Sequence, residues 1–216
     1  RGDSKRGFDV GVKYQILDEA ESQANITTLG YVVKVTRLGR LSLGERNYHI
    51  FYCLLAGLPV EEKRRLELTQ PSDYFYLTQG KTLEADGRDD AADLAEIRSA
   101  MKVLLFKEAE ISAIFQILAT LLHIGNVKYR GVVVDTIDGV EVSDAANVAR
   151  IAKLLQVKEQ CLLSTLTTRT IVTKEERVVV RLSSRGAVDA RDALAKGIYG
   201  RLFTYIVTRI NDAIYK

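Results

Sequence analysis

The feature that most constrains this chain is an apolar ladder near its end. Ala190, Leu194, Ile198, Leu202, Ile206, Ile210 and Ile214 recur at every fourth position of AVDARDALAKGIYGRLFTYIVTRINDAIYK. Ala187, Phe203, Val207 and Ala213 widen the stripe. Such spacing marks a helix with one buried face. At about 1.5 Å per residue, the run from Ala187 to Ile214 reaches about 40 Å, the scale of a whole small domain. The rest of the chain is expected to pack around this axle. The charged stretch in front of it, TRTIVTKEERVVVRLSSRG, is the first candidate for a working surface.

With 216 residues the chain can form one large domain or two small ones. Its apolar share of 47% and charged share of 27% are those of an ordinary globular protein. A net charge of +3 is too small to argue for nucleic acid. Basic residues cluster at 1–6, 34–40 and 169–185, where they serve either as a solvated face or as a docking surface for an acidic partner. Cys53 and Cys161 both sit in apolar helical patterns and read as buried thiols, which fits a reducing, cytoplasmic setting. His49 and His123 lack any metal-ligand spacing, so no metal ligand is assigned. No apolar run approaches the roughly 18 residues of a membrane span. Arg1 in place of Met leads us to expect a piece of something longer.

Taken in order, residues 1–11 read as a glycine-rich loop. VKYQIL (12–17) and ANITTLGYVVKV (24–35) read as a strand pair. A helix follows in ERNYHIFYCLLAGLP, with Tyr48, Phe51, Tyr52, Leu54 and Leu55 on one face and Gly57 and Pro59 at its end. VEEKRRLEL is a short charged helix, and SDYFYLTQG a tyrosine-rich turn. The span from Asp90 to Phe106 is predicted helical with Leu94, Ile97, Met101, Leu104 and Leu105 inward. The next helix carries Glu108 and Glu110 in its first turn and stops at Gly125 and Asn126. His123, near its end, reads as a packed or capping histidine. Two short strands are placed around Asp135–Gly139, then a helix capped by Ser143, then a helical segment Lys158–Leu166. TIVT and VVVRL flank KEER as a projecting hairpin. No GxxxxGK[ST], GxGxxG or GxSxG run occurs, and no catalytic residue is assigned.

Four stretches, in this order, resemble the myosin motor domain between its switch I and switch II elements. They are GERNYHIFYCLLAGLP (44–59), DYFYLTQG (73–80), IFQILATLLHIGNV (114–127) and DARDALAKGIYGRLFTYIVTRIN (189–211). RSAMKVLLF and KGIYGRLF are most similar to the unconventional, class VII-like myosins with MyTH4-FERM tails. The resemblance implies a mainly α fold with small β-hairpins, part of a P-loop NTPase-related motor. Residues 1–43 would be a divergent switch I and central-sheet region. Residues 44–185 would belong to the upper 50 kDa subdomain, and 186–216 would form the long helix leading toward the lower one.

The resemblance also implies function. The parent would be an ATP-driven motor on actin filaments, with ATP and Mg2+ as its nucleotide and metal; the alternative is an actin-binding scaffold lobe without nucleotide chemistry. Ser4 and Arg6 can be laid on the switch I pattern only with an inserted glycine, and Lys5 stands where a magnesium-binding hydroxyl is expected. The phosphate loop and switch II lie outside this stretch of a myosin, so the piece alone is expected neither to hydrolyse ATP nor to bind it tightly. Residues 168–185 would be an actin-facing loop, with Arg169, Lys174, Glu175, Glu176, Arg177 and Arg181 as contacts. Counting sixteen residues back from Asp192 places the family's regulatory position at Glu176; the resemblance implies an acidic residue there, or a serine or threonine made acidic by phosphorylation, and Glu176 supplies the charge in fixed form. Light chains or calmodulin would bind only a neck that this chain does not contain. The expected setting is cytoplasmic and cytoskeletal, with no nucleic-acid partner and no membrane span.

Overall fold

The computed structural model describes Leu38 and residues 41–134, 137–172 and 176–214. Ser4, Arg6, the expected strand pair at 12–35, Lys174 and Glu175 lie outside these. In chain order the described elements are α1 (His49–Gly57), α2 (Val60–Arg65), a 3-10 turn (Pro71–Asp73), α3 (Phe75–Thr78), α4 (Asp90–Val103) and α5 (Glu108–Gly125). There follow β1 (Tyr129–Val134), β2 (Ile137–Val142), α6 (Ala145–Leu155), α7 (Glu159–Thr167), β3 (Thr168–Val172), β4 (Arg177–Arg181) and α8 (Ser184–Ile214). Helix dominates, and the strands form two separate antiparallel pairs, β1–β2 and β3–β4.

Helix α1 is apolar on every side rather than on one face. Ile50, Phe51, Tyr52, Cys53, Leu54 and Leu55 are all buried, as a central core helix requires. It lies against α4, and Gly57 permits the approach, since a Cβ there would meet Leu94 Cβ at 2.7 Å. The lead-in is tied by polar groups. Asn47 donates from Nδ2 to Tyr76 O at 2.8 Å, and its own N–H donates to Tyr52 Oη at 3.0 Å. The tyrosine-rich stretch is not a simple turn. It is the 3-10 turn followed by α3, with Tyr74 and Tyr76 buried.

Helix α4 is capped by Asp89, whose carboxylate accepts from the N–H groups of Ala91 and Ala92 at 3.0 Å each. It ends at Val103, three residues before the expected limit. Phe106 N–H bonds to Met101 O and Leu105 N–H to Lys102 O, which closes a left-handed C-terminal turn. Leu94, Ile97 and Met101 point inward as expected. Leu104 is only half-buried and Leu105 is 66% exposed, because the turn reverses the chain beneath them. In α5 the Glu110 carboxylate accepts from Lys107 N–H at 2.9 Å, closing the first turn. Among the described residues, α5 alone is long and apolar enough to cross a membrane. Most of it is buried inside the protein, where a core helix has the same composition. His123 packs edge-on to Tyr74 and its Nε2 lies 2.9 Å from Leu66 O, so that nitrogen carries the proton.

In the first hairpin the pairing reaches Val134 with Ile137, inside the expected Asp135–Gly139 connection, and Gly139 lies within β2 opposite Val132. The cap of α6 is Asp144, not Ser143, since Asp144 Oδ1 accepts from Asn147 N–H at 3.0 Å. Cys53 is buried as expected, but Cys161 is exposed, on the outer side of α7, whose inward residues are Leu162 and Leu166.

Helix α8 runs antiparallel to α5 and is anchored at four levels. At its start, Gly186 N–H donates to Ser183 Oγ at 3.2 Å, and Ala187 packs with Val140 and Leu182 in a small second core. One turn on, Arg191 Nη1 donates to Gly125 O at 3.2 Å and Val127 O at 3.1 Å, at the C-terminal end of α5. Arg191 also pairs with Asp192, which accepts from Tyr76 Oη at 2.8 Å. The Tyr76 ring occupies the space a Cβ on Gly125 would need, at 2.6 Å. In the middle, Tyr199 stacks on Tyr48 with ring centroids 4.5 Å apart. Farther along, Tyr205 Oη donates to Glu110 at 2.8 Å and Arg209 Nε to the same oxygen at 3.2 Å, at the N-terminal end of α5. These contacts hold Glu110 below the usual carboxylate range, led by the Lys107 N–H bond.

Candidate functional site

The β3–β4 ribbon is the part of the described surface most unlike the rest. Its strands pair Thr168 with Arg181, Arg169 with Val180, Thr170 with Val179, Ile171 with Val178, and Val172 with Arg177. Cross-strand partners share a face and faces alternate along each strand. Arg177 and Arg181 therefore lie on one face with Val172 and Val179, while Arg169 lies on the other with Ile171, Val178 and Val180. Both faces are open: Ile171, Val172, Val178 and Val179 are 40%, 67%, 43% and 63% exposed. A two-stranded ribbon with apolar residues on both sides gains little by folding onto itself, and here it stands away from the core. Glu176 is exposed immediately before β4. The cationic positions are thus divided between two faces, a separation invisible when the loop is read as one string of charge.

The ribbon's root is firm. Leu182 N–H donates to Thr167 O at 2.9 Å, which continues the ladder to the end of α7. Leu182 is buried in the small core with Val140 and Ala187, so β4 is joined directly to the start of α8. The Arg181 stem lies over Gly139 of β2, with Cδ 2.9 Å from where a Cβ would stand.

The comparisons with known proteins bear on what such a ribbon is for. The Myosin head (motor domain) family matches residues 11–216. The chain belongs to this family. Unconventional myosin heavy chain 6 of Caenorhabditis elegans is 61% identical over 186 residues, 86% of this chain and 9% of that protein. Myosin-VIIa of Drosophila melanogaster is 50% identical over the same shares. Unconventional myosin-XV of Homo sapiens is 36% identical over 214 residues, 99% of this chain and 6% of that protein. The chain thus spans less than a tenth of the length of these relatives. It is a segment of a motor domain, mainly helical with small antiparallel strand pairs.

The myosin head match begins at residue 11, well before the stretch at 44 from which the resemblance was read, and it leaves Ser4 and Arg6 outside. Asp192, the position from which Glu176 is counted, lies in the buried Arg191–Tyr76 cluster. Burial and the neighbouring carboxylate push the Tyr76 phenol well above its ordinary value, so it stays a donor to Asp192. Sequence reading missed Arg191 and Tyr76. Only the charged Arg191 in the middle of an apolar stripe could have signalled them.

One further group of potential ligands occurs among the described residues: Cys53, Asp90 and Asp93 bring ligand atoms within 4.8 Å of one another. It does not favour a cation. Arg46 pairs with Asp90 and Arg88 with Asp93, each at 2.5 Å. Burial, aided by the carboxylates, pushes the Cys53 thiol up to about 12, so it keeps its proton.

Proposed function

We propose that this chain is part of the motor head of an actin-based, ATP-driven myosin, with the β3–β4 ribbon facing the filament. Membership of the myosin head family is the observation that carries the reading. In the parent, ATP hydrolysis with Mg2+ would be coupled to movement on actin, in a cytoskeletal setting. Residues 44–185 would form upper 50 kDa structure, and α8 would lead toward the lower subdomain. The candidate contacts are Arg169, Lys174, Glu175, Glu176, Arg177 and Arg181. Mixed charge set among exposed valines suits docking that is steered by charge and completed by apolar contact. Glu176 would supply fixed negative charge, so docking would need no phosphorylation at that position.

For nucleotide, the residues present give no fit that can be assigned. The sequence carries no GxxxxGK[ST] run. Ser4 and Arg6 fall outside the described residues and before residue 11, where the family match begins, although the 214-residue match to myosin-XV spans them. No step of hydrolysis is therefore routed through this segment.

The test is co-sedimentation of the full-length protein with actin filaments, with and without Mg-ATP. The motor reading predicts pelleting without nucleotide and release when ATP is added. Pelleting that ignores ATP would favour a binding lobe without nucleotide chemistry, and no pelleting at all would overturn both.

A further inference from the structure

Gly139 stands in the middle of β2. Glycine weakens a strand interior, and where one is kept there another part of the chain commonly passes close by. Here that part is the foot of β4. A Cβ on Gly139 would stand 2.9 Å from Arg181 Cδ and 3.5 Å from Arg181 Cβ. Turning the arginine stem aside would admit a methyl group and no more, because Arg181 Cβ is itself at contact distance. That Cβ is fixed by the ladder: Arg181 pairs with Thr168, and Leu182 N–H donates to Thr167 O at 2.9 Å. The next residue of each strand meets as well. Val140 and Leu182 are both buried, packed together with Ala187. Two successive residues of β2 thus clasp two successive residues of β4, one pair through a missing side chain and the other by burying two. Beyond the clasp the ribbon is open on both faces, so contacts at its foot decide where it points.

We propose that Gly139 is a positioning residue that aims the β3–β4 ribbon. Its missing Cβ lets β4 lie down on β2, and that approach sets the direction in which the ribbon leaves the protein. A larger side chain at 139 lifts β4 at its foot and swings the ribbon, whose five-residue strands reach about 16 Å. That the swing weakens filament docking rests on the reading of the ribbon given above; the swing itself does not.

The test uses the full-length protein. The ribbon's direction is read as the electron-spin distance between labels carried by unnatural amino acids at the exposed positions Thr170 and Lys153. Docking is read by co-sedimentation with actin filaments without nucleotide. Gly139→Val is expected to shift the mean distance and to weaken filament binding about fivefold, the scale of one displaced interface contact. Valine favours a strand, so a weakened β2 does not produce the shift. Adding Arg181→Ala to that variant empties the space beyond the arginine's Cβ and is expected to restore the distance. Gly131→Ala, in the neighbouring strand, meets nothing nearer than Ser184 Oγ at 3.9 Å and is expected to leave distance and binding unchanged. If Gly139→Val melts early, Gly139→Ser, one atom larger than a methyl group, is expected to give a smaller shift of the same kind. An unchanged distance in the folded variant overturns the proposal whatever the filaments do, and so does a shift that Arg181→Ala fails to reverse. A reversible shift with undiminished filament binding upholds the aiming by Gly139 and overturns instead the reading that the ribbon docks.

Discussion

Leu105 has φ of 63°, in the left-handed region where a branched side chain is strained and glycine is at ease. It also leaves its side chain largely in water, so little burial offsets the strain. Leu105→Gly is therefore expected to stabilise the protein by up to about 1 kcal/mol, read as a rise in the denaturant midpoint at constant slope. His123 is held the other way. Burial outweighs its bond to Leu66 O and lowers its pKa from 6.5. The unfolded chain then binds the proton more readily, so stability is constant above that ordinary value and falls as pH drops below it, levelling off under the folded value. The difference between wild type and His123→Gln, followed by unfolding from pH 7.5 to 5, should show this loss in the wild type alone. The packed role of His123 was legible in the sequence, because no nucleophile or ligand spacing accompanies it. The strain at Leu105 was not, because an apolar residue following a helical pattern reads as one more inward position.

At the scale of elements, α8 shows what periodicity can and cannot specify. The helix covers the ladder but begins at Ser184, three residues before the expected Ala187, and Leu202, Phe203, Ile206 and Ile210 are buried. Yet a strict four-residue ladder drifts by about 40° per step on a 3.6-residue helix. The buried line therefore runs through Ala187, Arg191, Ala195 and Tyr199 before it meets the ladder at Leu202, and Ile214, at the ladder's end, is 60% exposed. The hairpins were legible from β-branched runs and their polar tips. The cap at Asp144 and the exposure of Cys161 were not, since both depend on how α6 and α7 rotate against α5. Arg191 is 5% exposed and satisfies two carbonyls that leave α5. Arg191→Met is expected to cost about 3–5 kcal/mol in unfolding experiments, because it strands both carbonyls and Asp192. Arg201→Met, on the exposed side of the same helix, should stay within about 0.5 kcal/mol. Equal effects of the two would show that the cluster does not anchor α8.

At the scale of the molecule, one long helix connects the ribbon's root to the far end of α5. Ala187 shares a core with Leu182 at the foot of β4, and about 33 Å along the axis Arg209 meets Glu110. The ribbon is thus carried on a rigid element, with apolar side chains and cations presented on both of its faces. The central claim is that this ribbon docks on actin and that Glu176 contributes fixed charge to the docking. It is tested most directly by co-sedimenting the full-length protein and its Glu176→Lys variant with actin filaments in the absence of nucleotide, at low and at near-physiological salt. Weaker binding of the variant is predicted, with a loss that shrinks as salt rises and screens the charge. Unchanged or tighter binding by Glu176→Lys would contradict the account.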